Sequence, residues 1–314
     1  MVKSKKVKSK RRVLVTGASG FLGVNLIEGL LKEGCGVVAF DKHELPDHLS
    51  CNEVNFIKGD LGEIKKVRDA IRQVDVVCHL AAYIPPNYED PVYARRCLLV
   101  NGLITLRLAE LILKVRGLRL IFFSAGTIYR YSKSPVSEDH PVYPIGGAMY
   151  YSTGKLVGEL YVEQLRTQYQ LPSTTLRVAS CYGLGMPKKS MIASFMEYAD
   201  KGLPIQIWNG GYATYDFVYI DDVVKATLAA LKNDNYGVFN IGSGSAHTVL
   251  EIAHAIAKTF PERTVNIEVK PPSGPIFKGF PALSIKKAAK IWNYHPCSIR
   301  KGLAEYRRKM EQVK

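Results

Sequence analysis

The chain has 314 residues, of which 47% are hydrophobic and 23% charged, a composition typical of a globular protein with one or two domains. No uninterrupted apolar run reaches membrane-spanning length, so we expect no association with a membrane. The six cysteines are scattered, without a C-x-x-C pair or a Cys/His cluster of zinc-ligand spacing, which excludes the common structural zinc patterns. We therefore expect a reduced, cytoplasmic protein without a metal site.

The net charge of +15 is partly concentrated at the N-terminus. The stretch "MVKSKKVKSKRR" contains seven Lys and Arg residues and no acid, and it lacks the apolar core of a secretory signal. One interpretation is an arm that binds nucleic acid or an anionic surface. We favour a solvated, disordered basic tail over residues 1–11 and expect no nucleic-acid partner.

Strands and helices alternate from residue 12 to residue 180. The predicted strands are apolar runs, at 12–17, 36–41, 54–61, 75–82, 118–124 and 173–178. The predicted helices are 21–34, 62–73, 92–115 and one that carries Lys155 and runs to about Tyr169. This alternation predicts an α/β fold, a Rossmann-type doubly wound parallel sheet with helices on both faces. We assign residues 12–180 to one domain of this type.

The alternation loosens after residue 180. Gly and Pro interrupt 183–211 and 271–275, whereas 216–220 and 237–242 still read as buried late strands of the sheet. Thr248 and Glu251 form a capping box that predicts the start of a helix. We expect a smaller C-terminal substrate-binding region, residues 181–214 and 246–314, with segments of about 215–245 returning to the Rossmann domain.

The stretch "TGASGFLG" places Gly17, Gly20 and Gly23 between the first strand and the first helix. Glycines at such a turn let the backbone approach a pyrophosphate, and the helix N-terminus supplies free N–H groups and a positive dipole end. A tight turn without a ligand is the alternative for the glycines alone. We assign the intervening Ser19, Phe21 and Leu22 to the same cofactor site.

Asp41 follows the glycine turn by about 20 residues, at the end of the second predicted strand. A carboxylate there accepts hydrogen bonds from both adenosine ribose hydroxyls and repels a 2′-phosphate, which favours NAD over NADP. Lys42, beside it, weakens this preference. We predict NAD as the cofactor and therefore assign residues 12–180 as an NAD-binding Rossmann domain.

The stretch "AMYYSTGK" contains a candidate pair for proton transfer. Tyr151 is four residues before Lys155, so both lie on one face of a helix, whereas Tyr150 is five residues before it and diverges. Spacing alone does not establish chemistry, because a surface Tyr–Lys pair has the same pattern.

Together these stretches resemble the extended short-chain dehydrogenases, in the NAD-dependent epimerase/dehydratase branch. The resemblance runs from about Arg12 to about Tyr306 and rests on stretches that occur in the family's order. They are "TGASGFLG", "GDL" (59–61), "HLAA" (79–82), "NGLITLRL" (101–108), "FFSAGTIY" (122–129), "YSTGK" (151–155), "LRVASCYGLG" (176–185), "YDFVYIDDVVKA" (215–226) and "FNIGSG" (239–244).

The resemblance implies roles for individual residues. Those expected at the cofactor are Asp60 and Leu61 at the adenine, Leu80, Ala81 and Ala82 beside the diphosphate and ribose, and Asn101 behind the active site. Tyr151 is expected to be the acid/base, with Lys155 as its partner and Ser124 as a hydroxyl donor to the reacting oxygen. A lysine ammonium near the phenol favours the phenolate, and lowering a tyrosine pKa by ~3 units corresponds to roughly 4 kcal/mol.

The position of the catalytic hydroxyl stays open between two residues. Aligning "SAGT" with the family pattern selects Ser124, which we favour. Aligning Ile128 and Tyr129 with the family's Val–Tyr places Ala125 there instead, and Thr127 or Ser124 then supplies the hydroxyl. We interpret His79, at the end of a strand, as structural.

The resemblance also implies a reaction. Family members that dehydrate or decarboxylate sugars usually have acids after the catalytic hydroxyl, where this chain has Ala125 and Gly126. This favours a nucleotide-sugar 4-epimerase that removes a hydride and returns it to the other face of a 4-keto intermediate. The alternatives are an NAD(P)-dependent dehydrogenase or ketoreductase on a small carbonyl compound, and a non-catalytic NAD-binding regulator or scaffold.

The substrate side departs from the family pattern. Tyr215, Ser180 and Ser284 stand where many nucleotide-sugar members have Arg, Asn and Asp, and the missing arginine removes a bidentate phosphate partner. The basic residues that could compensate are Lys188, Lys189 and Lys278. The residues we assign to the substrate are Ser124, Ala125, Tyr150, Ser180 and Tyr215. By resemblance we also expect a homodimer that pairs the helices predicted at 92–115 and 150–169.

Overall fold

The computed structural model describes residues 11–144, 146–274 and 276–313. Residues 1–10 of the predicted basic tail lie outside the described residues. Arg11, the last residue assigned to that tail, donates a hydrogen bond to the Leu231 carbonyl, so it belongs to the folded part. Within the described ranges, no helix is long and apolar enough to cross a membrane.

The strands and helices follow one another in the order that the sequence predicts over the first half. The strands are β1 (Arg12–Thr16), β2 (Gly36–Asp41), β3 (Val54–Lys58), β4 (Val76–His79), β5 (Arg119–Ala125), β6 (Ser173–Val178), β7 (Ser180–Tyr182), β8 (Ile205–Ile207), β9 (Thr214–Tyr219), β10 (Gly237–Ile241), β11 (Ala246–Thr248) and β12 (Ile267–Val269). The α-helices are α1 (Phe21–Lys32), α2 (Ile64–Ile71), α3 (Ala94–Cys97), α4 (Ile104–Leu113), α5 (Met149–Tyr169), α6 (Met191–Asp200), α7 (Ile220–Lys232), α8 (Val249–Ala257), α9 (Lys286–Trp292) and α10 (Ile299–Gln312).

Seven strands form one sheet in the spatial order β10-β6-β5-β4-β1-β2-β3, and every neighbouring pair is parallel. The chain winds outward from β1 through β2 to β3 and then returns to the other side of β1 through β4. The strand order therefore reverses between β1 and β4, and the loops that follow these two strands diverge and leave a crevice. The predicted doubly wound, Rossmann-type sheet is confirmed.

Helices cover both faces of this sheet because its strands are apolar on both sides. On one face, side chains such as Val15 and Phe123 pack against α1, α7 and α9. On the other, Leu120 and Phe122 pack against α2, α4 and α5 through residues such as Val162. Helix α5 therefore lies on the face that Phe122 occupies, and this sets which side chains it meets.

The later part of the chain builds two small sheets and a core of its own. The strand order is β11-β9-β7 in one sheet and β12-β8 in the other, and α6, α8 and α10 pack around them. The expectation that 216–220 belongs to the main sheet is wrong, because β9 pairs with β7 and β11; only β10 returns to the main sheet. The capping box of Thr248 and Glu251 is confirmed at the start of α8.

The long helix predicted over 92–115 is present, but its middle has a different hydrogen-bond pattern. A short α3, a π-helical turn at Leu98–Leu103 and α4 follow one another without a break, and the residues at both joints keep right-handed helical φ and ψ. The Thr105 hydroxyl donates to the Asn101 carbonyl at 2.8 Å within this wider turn. Such π-turns are rare and frequently mark functional sites.

Candidate active site

The glycine turn lies at the crevice where the strand order reverses. Gly17 has a φ of +72°, and a Cβ placed on it would lie 2.7 Å from the Ala81 nitrogen, just after β4. A Cβ on Gly23 would lie 2.2 Å from the Gly17 carbonyl oxygen, so α1 can begin this close to the turn only without a side chain. Gly20 caps α1, whose first N–H groups therefore face the crevice.

Asp41 ends β2 beside that turn. Its two carboxylate oxygens accept the backbone N–H groups of Ser19, at 3.0 Å, and His43, at 2.9 Å. A carboxylate offers about four acceptor positions, so capacity remains for two ribose hydroxyls. Lys42 is exposed next to it. The cradle of glycines, the helix N-terminus and Asp41 together fit a dinucleotide.

The remaining predicted cofactor residues lie at the same edge of the sheet. Asp60 and Leu61 come directly after β3, where Asp60 accepts the Gly62 N–H and Leu61 packs against the core. Leu80 follows β4 and donates its N–H to the Thr16 carbonyl at 3.2 Å; Ala81 and Ala82 come next in the chain. Phe21 and Leu22 open α1 and are half-buried.

A buried hydrogen-bond chain that sequence reasoning missed crosses from the glycine turn to the π-turn. The Ala81 N–H donates to the Thr16 hydroxyl, which lies 2.7 Å from His79 Nδ1, and His79 Nε2 lies 3.0 Å from the Thr105 hydroxyl. Since the Thr105 hydroxyl donates to the Asn101 carbonyl, it accepts from His79, which assigns the proton to Nε2. His79 therefore connects the two turns as a neutral imidazole.

Burial keeps this imidazole neutral. His79 is fully buried, and desolvation, with a smaller effect of nearby Lys155, lowers its pKa from the ordinary value to about 3. The far end of the chain is also fixed, because the Asn101 side chain accepts the Tyr83 N–H at 2.7 Å and donates to the Tyr83 carbonyl at 3.0 Å. The loop after β4 is thus held to the π-turn.

Helix α5 carries the candidate catalytic pair and packs against the π-turn at backbone distance. A Cβ on Gly154 would lie 2.5 Å from the Cys97 carbonyl oxygen, and one on Gly158 would lie 2.5 Å from the Asn101 carbonyl oxygen. Lys155, one residue after Gly154, is consequently buried. Its ammonium donates to the Phe123 carbonyl at 2.8 Å and lies 5.3 Å from the centre of the Phe122 ring.

Both members of the pair lie in a poorly solvated environment. Burial raises the pKa of Tyr151 above its ordinary value, and Tyr88 and Cys97 add to that effect; the Tyr88 ring packs edge-on against Tyr151 at 5.9 Å. Burial also lowers the pKa of Lys155 to about 7. Burial in the protein alone thus disfavours both the Tyr151 phenolate and the Lys155 ammonium. The neutral pair and the phenolate–ammonium pair hold the same number of protons, so they differ only by transfer of one proton between the two residues. Charges and hydrogen bonds from bound ligands are needed to favour the phenolate.

The two candidate hydroxyls differ in their surroundings. Ser124 is 4% exposed, and its Oγ has no hydrogen-bond partner among the described residues. Ser124 is two residues after Phe122 on β5, so both side chains face the side of the sheet that α5 covers. Ala125, like Phe123, faces the other side. Thr127 lies in the turn after β5 and accepts the Ser152 hydroxyl at 2.8 Å, which leaves its own proton available to donate.

The substrate side is rich in aromatic rings. Tyr215 packs against Phe217 and Phe280, with ring centres 5.6 and 5.9 Å apart. Ser180 begins β7 and pairs with Phe217 in register. Tyr150 lines a cavity of about 420 Å³ together with Tyr88, Glu89 and Phe277.

The three compensating lysines are exposed. Lys188 and Lys189 directly precede α6, and Lys278 lies 5.9 Å from the centre of the Tyr131 ring. Ser284 donates its N–H to the Val136 carbonyl. A larger cavity of about 590 Å³ lies between the end of α8 and α10, but none of the predicted site residues lines it.

The contact of Tyr88 with Tyr151 and the ion pair between Arg177 and Glu159 were also not predicted from the sequence. Tyr88 lies in an irregular loop, where no periodicity indicates which neighbour it meets. Glu159 lies on the same helical face as Tyr151 and Lys155, eight and four residues after them, so its spacing was a usable signal.

Comparison with known proteins places this geometry in a family. The model of the NAD dependent epimerase/dehydratase family matches residues 13–242. The chain is 31% identical over 289 residues to a putative UDP-glucose 4-epimerase of Methanocaldococcus jannaschii, covering 89% of this chain and 92% of that protein. It is 32% identical over 262 residues to a UDP-glucose 4-epimerase of Mycolicibacterium smegmatis, covering 78% and 82%.

A solved structure resembles the whole fold. The UDP-glucuronic acid 4-epimerase of Bacillus cereus, in complex with UDP-glucuronic acid and NAD, superposes with a TM-score of 0.85. It is 26% identical in sequence, and the match covers 97% of this chain and 100% of that one.

Replacing His79 with Gln should reduce the loss of stability in acid. Because the folded pKa lies below that of the unfolded chain, protons bind the unfolded state preferentially; the stability is present above pH 6.5 and is lost as the pH falls toward 3. Between pH 7.5 and pH 5 the wild type should lose about 2 kcal/mol through this residue, and the variant should not. Urea unfolding at each pH measures the difference.

The matched control is His254→Gln, on the exposed side of α8. It should retain the wild-type pH dependence. An unchanged acid dependence in His79→Gln would show that the imidazole is not held neutral by the fold.

Proposed function

This chain belongs to the NAD-dependent epimerase/dehydratase family, and we propose that it is an NAD-dependent nucleotide-sugar 4-epimerase. The observation that carries the proposal is the pairing of half-buried Tyr151 with buried Lys155 on one face of α5, at the edge of the sheet where Gly17 and Asp41 fit a dinucleotide. Relatives that align over most of both chains are named UDP-glucose 4-epimerases.

The residues at the crevice are proposed to hold NAD. The turn at Gly17 and the start of α1 would take the diphosphate, Asp41 the adenosine ribose, and Lys155 the nicotinamide side. When bound, NAD supplies a site that accepts a hydride and gives it back. The carboxylate of Asp41 is the basis for proposing NAD rather than NADP, because it repels a 2′-phosphate.

Tyr151 is proposed to take the proton of the sugar hydroxyl whose carbon loses the hydride and later to return it. The Lys155 ammonium stabilises the phenolate, and this interaction gains strength because both groups are removed from water. Either Ser124 or Thr127 donates a hydrogen bond to the reacting oxygen. Ser124 is supported by its buried Oγ, which has no hydrogen-bond partner among the described residues. Thr127 is supported by its hydroxyl, which accepts from Ser152 and so keeps its own proton available to donate.

The turn after β5 supports epimerisation over elimination. Gly126 is buried against Leu283, and neither it nor Ala125 offers a carboxyl group to remove or donate a proton. A net dehydrogenase, which releases NADH, is the second candidate, because the same pair serves both reactions. A non-catalytic scaffold is disfavoured by the placement of Lys155, a charge whose burial has no evident structural benefit.

For the substrate, we propose a nucleotide sugar with a hexose ring that enters beside Tyr150. The solved relative is a complex with UDP-glucuronic acid and NAD, and related structures contain UDP-glucose. Residues 181–214 and 246–314 are proposed to form the substrate-binding region, with Ser180 and Tyr215 at its border. Since Tyr215 is packed among aromatic rings, we propose that Lys188 or Lys189, beside the N-terminus of α6, meets the diphosphate instead.

We also propose a homodimer through the π-turn and α5. Leu98, Leu99 and Leu103 are 42%, 48% and 45% exposed, and Leu160 on α5 is 56% exposed. These leucines lie on two elements that pack against each other, and this supports one shared apolar surface as the interface. We also propose a cytoplasmic location, because the six cysteines are scattered along the sequence without the paired spacing of a secreted disulfide framework; cell fractionation tests this.

The reaction is tested by incubating the protein with UDP-glucose and following the anomeric signals by NMR. We expect UDP-galactose to form with no lasting change in absorbance at 340 nm. Tyr151→Phe should lower the rate at least ~10³-fold while the protein retains NAD, because it removes only the proton-transfer group. Ser124→Ala and Thr127→Ala in the same assay identify the hydroxyl donor by the larger loss.

Two results would contradict the proposal. A steady rise at 340 nm in step with substrate consumption would favour the net dehydrogenase. Substantial turnover by Tyr151→Phe would remove Tyr151 from the acid/base role.

The dimer is tested by light scattering on the wild type and on the Leu99→Glu/Leu160→Glu double variant. The wild type should have twice the 34.9 kDa chain mass. The double variant should approach the mass of one chain, because dimerisation would bury its introduced carboxylates in an apolar interface. Leu203→Glu, at an equally exposed leucine outside this surface, is the control and should stay dimeric. A monomeric wild type would overturn the proposal.

A further inference from the structure

A buried ion pair joins the helix that carries Tyr151 and Lys155 to the sheet. Arg177, on β6, and Glu159, on α5, have side chains only 8% and 5% exposed. The guanidinium Nη2 lies 2.5 Å from Glu159 Oε1, and its Nε lies 3.0 Å from the same oxygen. Both charges are therefore fully paired in a region from which water is largely excluded.

The same guanidinium holds the segment that follows the candidate hydroxyls. Its Nη1 donates to the Tyr129 hydroxyl at 2.5 Å and to the Glu138 carbonyl at 2.8 Å. Tyr129 comes directly after the turn at Gly126–Ile128 that contains Thr127, and its hydroxyl donates onward to Asn240 at 2.7 Å. Arg177 thus contacts α5 with one edge and the end of that turn with the other.

The position of Arg177 in the sheet brings it next to the second candidate hydroxyl. Arg177 pairs in register with Ser124 on the neighbouring strand, so both side chains face the side covered by α5. Glu159 is one helical turn after Lys155 on the same face of α5. The ion pair therefore lies one helical turn after Lys155, with Arg177 beside Ser124 in the sheet and bonded to Tyr129, two residues after Thr127.

Lys155 cannot be a permanent anchor for the helix if it takes part in the chemistry. Its ammonium donates to the Phe123 carbonyl, but support of a phenolate draws that charge toward Tyr151. Among the ion pairs of the described residues, only Glu159–Arg177 ties α5 to a strand. This pair is an anchor for α5 that does not include Lys155.

We propose that Arg177, through Glu159 and Tyr129, is a positioning residue that fixes the distance between the Tyr151–Lys155 pair and the hydroxyl donor. This inference rests on the proposed function, since it assigns the pair a role in that reaction. Buried ion pairs add little net stability compared with well-packed apolar side chains, so stability alone does not account for this one. A misplacement of about 1 Å at a reacting group can cost ~100-fold in rate, so the benefit of the ion pair is that it keeps the reacting groups in position.

The test compares three variants with the wild type, each purified with its NAD. Glu159→Met/Arg177→Met replaces the pair with apolar side chains, Arg177→Lys keeps the charge but loses the second edge, and Glu163→Gln removes a half-buried partner of Arg166 on the same helix. Initial rates with UDP-glucose give kcat and KM, and thermal unfolding gives Tm.

We expect the double variant to fold and retain NAD, with kcat lowered ~10- to 100-fold and KM for UDP-glucose within about threefold of wild type. Arg177→Lys should lose ~10-fold or more in kcat, because lysine cannot bridge two partners in a fixed plane. Glu163→Gln should match the wild type in every measurement.

A double variant with wild-type kcat would overturn the inference and leave the proposed function standing. If the double variant does not fold, Arg177→Lys decides in the same way. An inactive wild type would contradict the proposed function, and amide hydrogen exchange then tests the positioning role separately. Residues 149–158 should exchange at least ~10-fold faster in Arg177→Lys than in Glu163→Gln, and equal rates would overturn the inference.

Discussion

The contact between α5 and the π-turn at backbone distance is the constraint on which the rest of the site depends. Gly154 and Gly158 allow the helix to approach the carbonyls of Cys97 and Asn101, where any side chain would collide. Lys155 is buried between the helix and β5. The close approach also brings α5 next to Asn101, where the hydrogen-bond chain from His79 ends. One packing contact therefore connects the glycine turn, the loop after β4 and the helix that carries the candidate catalytic pair.

Burial at this contact has an electrostatic consequence. The simple expectation is that Lys155 lowers the pKa of Tyr151, but in the protein alone desolvation raises the pKa of Tyr151 and lowers that of Lys155 to about 7. Formation of the phenolate thus depends on ligands that favour the charged pair, because burial in the protein alone keeps Tyr151 protonated. A site of this kind is poised for proton transfer only when it is occupied.

Much of the fold was predictable, because its signals are local. The apolar runs, the turn at Gly17 and the cap at Thr248 each depend on neighbours in the chain. The π-turn at Leu98–Leu103 was not predictable, since one widened turn hardly disturbs helical periodicity. The pairing of β9 with β7 and β11 is a choice among distant partners, and an apolar strand does not encode it. For the same reason the motifs located Tyr151 and Lys155 but not Tyr88, whose contact is tertiary.

The most direct measurement follows the hydrogen on the reacting carbon. UDP-glucose labelled with deuterium at C4 is incubated with the protein, and the product is analysed by NMR and mass spectrometry. The proposed mechanism predicts UDP-galactose that keeps the deuterium at C4, because the hydride leaves and returns within the site while Tyr151 moves only the hydroxyl proton. Loss of the label to solvent, or a product labelled at another carbon, would contradict it.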